Sequence, residues 1–390
     1  MLAGGGTRGA YEIGALSALL PELEDDERPG ILIGTSAGAV NTAYLAANAE
    51  LSPERLATDG LALWRGIRYD QVLRPLASIP ELLRLGAYLG EVLGLPGACA
   101  VSVLDPAPFT ATLEGLIEFG QIHANVEAGH LTAAAVVATS GETNLSVVFH
   151  DGGPEPEADT RHGIRYVKTR LAEDHVQASA AIPVLFPAVP IDRDGTRHWY
   201  FDGGTRLNTP IKPALALGAR RLIVVALNSL AFREERSHER RPDVLDGAAQ
   251  LLQAVLVDPL INDLHTLARV NQMLMDESEE QMRAHEARTG SQRVPYMLIA
   301  PEDPDEIGRV AAEVYRRHYG SPIGFVRSPN VAALGRLVNA AASVNHGELL
   351  SYLFFAEEFI ERLIELGRRD AERWLRDNHD QGRWQLGPLQ

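Results

Sequence analysis

The sequence predicts an α/β fold, a mostly parallel central sheet with helices on its faces. A strand, a glycine turn and a helix follow one another twice between Met1 and Ala49, and such units build parallel sheets with helical crossovers. The composition agrees. Of 390 residues 45% are hydrophobic but only 6% aromatic, with Ala, Leu and Gly plentiful, which favours a helix-rich α/β protein over an all-β one. That much apolar sequence fills one large domain or two smaller ones.

The elements follow in order. Met1 to Ala3 is the end of a strand, and Gly4-Gly5-Gly6-Thr7-Arg8-Gly9 comes directly after it. Ala10 to Leu20 reads as a helix with Ile13, Leu16, Leu19 and Leu20 on one face. Ile31 to Ile33 is a short buried strand, Gly34 to Gly38 a tight turn, and Ala39 to Ala49 an Ala-rich helix. Leu51 to Leu95 is mainly helical, with breaks near Arg68-Tyr69-Asp70 and at Pro80. Leu131 to Ala138 and Leu145 to Phe149 are strands, and a polar loop from Asp151 to Arg161 follows. His198 to Phe201 and Leu222 to Leu227 are further strands. Phe232 to Pro242 is a charged linker. Residues 1–230 are therefore expected to form the α/β domain, and 231–390 a mainly helical region packed on it. That region holds helices from about Val244 to Met275, a late strand near 296–300, and an amphipathic helix from Glu348 to Leu375.

With 36 basic and 52 acidic residues the formal net charge is -16. So acidic a chain argues against broad binding to nucleic acid. It also argues against tight, purely electrostatic docking on anionic lipid, while hydrophobic contact with a membrane stays open. Cys99 is the only cysteine, so neither an internal disulfide nor a thiolate zinc cluster can form. This fits a reducing compartment. No basic stretch followed by an apolar one opens the chain, so no signal peptide is expected. Leu83 to Leu104 holds Arg84, Glu91 and Pro96 and does not read as a transmembrane helix. A cytoplasmic protein, in peripheral contact with a membrane at most, is the expectation.

Three constellations carry chemistry. The first is Gly34-Thr35-Ser36-Ala37-Gly38, a G-x-S-x-G turn between a strand and a helix. A nucleophilic serine needs a sharp bend that exposes its Oγ; flanking glycines permit the bend, and the next helix points its N-terminus at the site. As a bare string it is equally a turn of small residues. The second is the Gly4 to Gly9 run, whose unblocked N–H groups suit an oxyanion or a phosphate. A dinucleotide site on this run would want an acidic residue at the end of the second strand, but Ile31 to Ile33 runs into Gly34-Thr35-Ser36. A P-loop would want Lys and then Ser or Thr after the last glycine, where Ala10 and Tyr11 stand. A purely structural glycine turn also fits. The third is Asp202-Gly203-Gly204 at the end of the His198-Trp199-Tyr200-Phe201 strand. Its carboxylate can turn back into a cleft, although Asp-Gly-Gly alone is usually a simple turn.

Taken together and in this order, the three resemble the patatin-like phospholipase family. Gly9-Ala10-Tyr11-Glu12-Ile13-Gly14-Ala15-Leu16 looks like that family's first helix. Ala178-Ser179-Ala180-Ala181-Ile182-Pro183, then Phe186-Pro187, looks like its buried segment ahead of the acidic residue. The resemblance covers roughly Met1 to Leu227; beyond that only the helix from Ser351 to Ala371 looks familiar. In one respect the chain departs from the pattern, since relatives have a fuller apolar strand before the glycines.

The resemblance implies a three-layer α/β/α fold and a lipid acyl hydrolase of phospholipase A or esterase type. It implies a Ser36–Asp202 dyad, in which Asp202 takes the Ser36 proton, and an oxyanion hole from Gly4, Gly5 and Gly6. Arg8 would support that loop or meet a lipid phosphate; as a helix-flanking surface cation it would do neither. An α/β-hydrolase triad would need a histidine, for which His175 and His198 are the nearest candidates. With no H-E-x-x-H, calcium loop or thiolate cluster, no metal or cofactor is expected. His238 and Asp243 match an H-x-x-x-x-D spacing that a charged linker produces by chance. Leu82 to Leu95 is a candidate lid or interfacial helix, with ordinary core packing as the plainer reading, and Leu353-Phe354-Phe355 likewise reads as core before lipid contact. The rival functions are a catalytically weak lipid- or partner-binding module of the same fold, and a nucleotide-binding protein on the Gly4 to Gly9 loop.

Overall fold

The computed structural model describes residues 1–75, 86, 102–231, 241–256, 258–275, 278, 280–282, 284–285, 292–340, 342–378 and 382–387. The elements of the sheet region are α1 (Gly9–Leu19), β1 (Ile31–Thr35), α2 (Ala37–Ala47), α3 (Pro53–Gly66), α4 (Tyr69–Val72), α5 (Ala107–Leu116), α6 (Phe119–Glu127), β2 (Ala133–Ser140), β3 (Ser146–Gly152), β4 (Ile164–Lys168), α7 (Glu173–Ser179), β5 (Val189–Arg193), β6 (Thr196–Asp202), α8 (Gly204–Leu207), α9 (Ile211–Ala216) and β7 (Leu222–Val225). After them come α10 (Val244–Leu256), α11 (Asp258–Met273), β8 (Tyr296–Ile299), α12 (Glu306–Val314), a π-helical turn (Tyr315–Tyr319), α13 (Pro322–Arg327), α14 (Pro329–Leu337), α15 (Val344–Ser351) and α16 (Glu357–Asp377). The candidate lid, Leu82 to Leu95, lies outside the described residues apart from Gly86, as do His238 and Cys99. Among the described residues no helix is long and apolar enough to cross a membrane.

A six-stranded sheet in the order β4-β3-β2-β6-β5, with β1 also beside β2, is flanked by helices on both faces. Parallel pairing holds for β1 with β2, β3 with β4, and β7 with β8. Leu2 bridges Gly34 and Val225 and so links β1 to β7. The other pairs, β2 with β3, β2 with β6 and β5 with β6, are antiparallel, so the central sheet is mixed where the sequence predicts a mostly parallel one, and for two of them loop length gives the reason. The short turn from Gly141 to Leu145 and the Asp194-Gly195 turn are too brief for a crossover, so they close antiparallel hairpins. Asp194 and Gly195 both have positive φ, as the common two-residue hairpin requires.

The strand β2 organises the site. It is buried along its whole length, and its Ala- and Val-rich sequence suits a strand covered on both faces. Successive residues face opposite layers: Val136 and Ala138 pack with α1 and α2, Ala135 and Val137 with α9 and α11. Along one edge, its first part pairs in parallel with β1, ending at Thr35↔Val137. On the same edge, its last part pairs antiparallel with β6, beginning at Asp202↔Ala138. Two strands therefore run toward each other and stop at adjacent β2 residues. The residue that leaves β1 is Ser36, and the one that ends β6 is Asp202.

The expected helix from Glu348 to Leu375 is two helices, α15 and α16, separated by Tyr352 to Ala356. Phe354 is fully buried and stacks on Phe359, while Tyr352, Leu353 and Phe355 reach a different cavity beside Ser36. Beyond the break, α16 packs along α1, and Tyr11 donates a 2.8 Å hydrogen bond to buried Asp370.

Candidate active site

Ser36 sits at the turn from β1 into α2 with φ 55° and ψ -120°. A non-glycine residue held there stores on the order of 1–3 kcal/mol, which the surroundings must offset. They do so from both sides. The Ser36 N–H donates to Ser179 Oγ at 2.8 Å, and Ser179 in turn donates to the Val137 carbonyl at 2.6 Å, fastening the bend to β2. The neighbouring Thr35 hydroxyl donates to the Leu207 carbonyl at 3.1 Å. Gly38 is needed for close approach: a Cβ there would lie 2.4 Å from the Leu2 carbonyl oxygen. At Gly34 a Cβ would lie 2.1 Å from the Gly38 carbonyl oxygen. The two motif glycines thus let the chain fold back on itself around the serine.

Asp202 is buried, 5% exposed, and faces the Ser36 hydroxyl, which favours its charged form. One carboxylate oxygen accepts a 2.6 Å hydrogen bond from the Gly204 N–H. Its backbone is held by Thr139 and Thr205, whose hydroxyls donate to the Asp202 carbonyl at 3.0 and 2.9 Å. A Cβ on Gly203 would lie 2.2 Å from the Val137 carbonyl oxygen, so the turn after Asp202 also needs its glycine. Burial pushes the Asp202 carboxyl up to about 6; the hydrogen bonds from Ser36 and Gly204 hold the rise in check. Among the described residues no histidine hydrogen-bonds Ser36 or Asp202. His175 packs edge-on against Phe149 and pairs with Asp174. His198 pairs with Glu142 at 3.0 Å. Asp243 faces His346, at 3.1 Å, away from this site.

The glycine loop lies over the serine, and a Cβ on Gly4 would come within 2.9 Å of the Ser36 Cβ. Its three amides are not equivalent. The Gly4 N–H is already taken, donating to Asn208 Oδ1 at 2.9 Å. The Gly5 and Gly6 N–H groups donate to no group among the described residues. Gly6 has φ +59°, and a Cβ there would strike the Tyr352 carbonyl oxygen at 2.0 Å. That carbonyl accepts from the Thr7 N–H at 3.0 Å, so α15 and the segment after it hold the loop in place.

Arg8 is no surface cation. It is fully buried, and its guanidinium turns away into the C-terminal region. It pairs with Glu348 at 2.8 Å, donates to Ser351 Oγ and the Glu348 carbonyl, and lies 3.9 Å from the centre of the Tyr352 ring. Its donors are spent inside the protein, so it supports the loop and does not reach a lipid phosphate. Removing one member of a buried pair leaves the other charge stranded, at a cost of about 3–5 kcal/mol. Arg8→Met should lose stability of that order in guanidinium denaturation, and Arg8→Met with Glu348→Gln should recover part of it.

An apolar cleft opens at Ser36. It is lined by Gly6, Ala37, Val40, Trp64, Leu113, Phe186, Leu353 and Phe355 among others. Trp64 is fixed by donating to Asn41 Oδ1 at 2.7 Å, and Asn41 donates to the buried Glu12 carboxyl at 2.8 Å and the Gly9 carbonyl at 2.9 Å. One side-chain network therefore ties the cleft wall to the helix that carries the glycine loop. Burial pushes the Glu12 carboxyl up to about 8. A larger cavity, about 670 Å³, lies at the opposite ends of β1 and β7, lined by Ile31, Leu222, Arg220 and Trp384. Neither Ser36 nor Asp202 reaches it.

No sequence motif marks Asn208 or Ser179 as a site residue, although Ser179 lies in the buried segment ahead of Asp202. Both work through the backbone: one holds the Gly4 amide, the other the Ser36 amide. Motifs record reacting side chains and miss those that brace the main chain.

Comparison with known proteins gives the chain a family. A family model described as patatin-like phospholipase matches residues 1–215. No curated protein matches the chain. Among solved structures it is similar to VipD from Legionella pneumophila, at 15% identity and a TM-score of 0.30, covering 77% of this chain and 60% of that one. This chain thus spans less than two thirds of VipD's length. With more than half of its residues matched by the family model, the chain belongs to the patatin-like phospholipase family.

Proposed function

We propose that the protein is a lipid acyl hydrolase that cleaves carboxylic esters through an acyl-serine intermediate, with Ser36 as nucleophile and Asp202 as its base. The observation that carries this reading is the meeting of Ser36 and Asp202 at adjacent β2 residues, at the mouth of an apolar cleft. The membership in a family of lipid hydrolases supports the substrate class.

Ser36 Oγ attacks the ester carbonyl as its proton passes to Asp202. Charge builds on the carbonyl oxygen, and the free Gly5 and Gly6 amides are the donors available to it. The Ala37 amide, in the orphan first turn of α2, is a third. Collapse of the tetrahedral adduct expels the alcohol, which takes the proton from Asp202. The acyl chain stays in the apolar cleft until water, activated by Asp202, releases the fatty acid.

A free carboxylate has a pKa of about 3.9 and is a feeble base toward a hydroxyl; burial to about 6 makes Asp202 a better one near neutral pH. It must be ionised to act, so kcat/KM should rise with pH, bend near pH 6 and level off above it. Initial rates on a p-nitrophenyl ester between pH 4.5 and 9 test this. A limb bending near pH 4 would mean that burial does not tune the base, and one bending above 7 would point to another group.

A further inference from the structure

The chain carries -16 net charge, yet no Asp or Glu stands between Glu313 and Glu348, while Arg316, Arg317, Arg327 and Arg336 all fall there. They fall on the π-helical turn and on α13 and α14, the helices that carry an exposed apolar tip. In the short helix α13, Ile323 is 81% and Val326 84% exposed, one turn apart on the same side. Leu337 at the end of α14 is 73% exposed and Phe325 is 39% exposed. Arg336 lies 4.9 Å from the centre of the Phe325 ring. Arg327 pairs with Glu358 at 3.1 Å. Arg316 and Arg317, exposed in the π-helical turn, have no carboxylate partner among the described residues. Large aliphatic side chains this exposed lose free energy in water, and nothing among the described residues shields them.

The π-helical turn that precedes the tip connects to the cleft wall. Tyr319, the last residue of the π-helical turn, packs edge-on against Phe354 at 5.6 Å and donates to Glu358. The residues on either side of Phe354, Leu353 and Phe355, line the cleft at Ser36. The segment from Leu353 to Phe355 therefore meets the π-helical turn through Phe354 and lines the cleft through its neighbours.

We propose that Tyr315 to Leu337 is the surface by which the protein docks on an anionic lipid bilayer. Ile323 and Val326 enter the boundary of the acyl region, while the arginines engage headgroup phosphates and let their stems follow the side chains inward. The charge pattern selects this occupant. An exposed apolar tip in a stretch that carries four arginines and no carboxylate is complementary to a layer whose surface is anionic and whose interior is hydrocarbon. The acidity of the whole chain, which argues against electrostatic docking in general, leaves this face as the exception. The purpose of the docking rests on the lipid-ester reading; its test does not.

Vesicle flotation of the full-length Ser36→Ala protein tests the surface independently of turnover. Vesicles of phosphatidylcholine are compared with vesicles containing phosphatidylglycerol. The parent should bind the anionic vesicles, and Ile323→Glu with Val326→Glu, or Arg316→Glu with Arg317→Glu, should weaken that binding by about tenfold or more. The same pairs placed in the Ser36 enzyme should leave hydrolysis of soluble p-nitrophenyl butyrate unchanged. Parent protein that floats with neither vesicle, or variants that float as the parent does, would overturn the proposal. So would variants that lose only a dimer by light scattering, which would assign the face to a second copy of the chain. If no version hydrolyses the soluble ester, the hydrolase reading fails, and flotation still decides the docking surface.

Discussion

Ser36→Ala is expected to abolish hydrolysis of short and medium p-nitrophenyl esters, lowering kcat on the order of 10⁴-fold or more. The substitution removes the proposed nucleophile, and among the described residues no second nucleophile is positioned to replace it. Ser179, the nearest hydroxyl by contact, is committed to the Ser36 amide and the Val137 carbonyl. Its Oγ cannot attack without releasing the bend. The fold should survive, because the bend at Ser36 is held by its backbone N–H and by the glycine contacts on either side, and Asp202, which loses the Ser36 hydroxyl, keeps the Gly204 N–H. Circular dichroism and the unfolding midpoint check that survival. Ester turnover retained in a folded Ser36→Ala protein would remove the nucleophile from the mechanism.

Asp202→Asn should lose activity by a comparable factor and gain stability, an unusual pair of effects for one substitution. The amide keeps the shape, and its oxygen can still accept from the Gly204 N–H. It cannot take a proton from Ser36; general bases of this kind contribute about 10²–10⁴-fold. The stability gain follows from the raised carboxyl. Its pKa in the folded protein is about 6, against an ordinary value of 3.8, so folding favours the protonated form. That benefit is complete below pH 3.8 and is lost as pH climbs through 6. Above that range the wild type carries a buried charge costing up to about 3 kcal/mol, because each tenfold change in proton affinity on folding is worth about 1.36 kcal/mol. The asparagine carries none. Thermal unfolding at pH 8 should therefore find Asp202→Asn a few degrees more stable, and the difference should shrink as the pH falls below 6 and be gone below about 3.8. A variant less stable than wild type at pH 8 would mean that the charged form is the one the fold prefers.

Much of this site is legible in the sequence because its geometry is local. The bend at Ser36, the turn after Asp202 and the glycine loop each need glycine within a few residues of a strand end, and strings record that. What brings them together is not local. Nothing in Ala133 to Ser140 announces that one strand edge seats two others end to end, and only that register sets Ser36 against Asp202. The strands β4 and β5 are hard to see in the sequence for a related reason: both are short and half-exposed, with no long apolar run. The Asp194-Gly195 pair is the one local signal of the hairpin that holds β5. Arg8 shows the opposite failure. Its place beside a glycine loop suggests the surface, while its partners Glu348 and Ser351 lie in the last part of the chain. The break at Tyr352 is equally hidden, since apolar spacing runs on through it, and it shows only in the structure, where the Tyr352 carbonyl accepts from the distant Thr7 N–H.

The most direct test of the proposed chemistry is covalent. The purified protein is treated with a long-chain fluorophosphonate, and the modified peptide is identified by mass spectrometry, with Asp202→Asn alongside. A Ser36–Asp202 dyad predicts a single adduct on Ser36 in the wild type, formed far more slowly in Asp202→Asn. An adduct on any other residue, or a folded wild-type protein that takes up no probe, would contradict it.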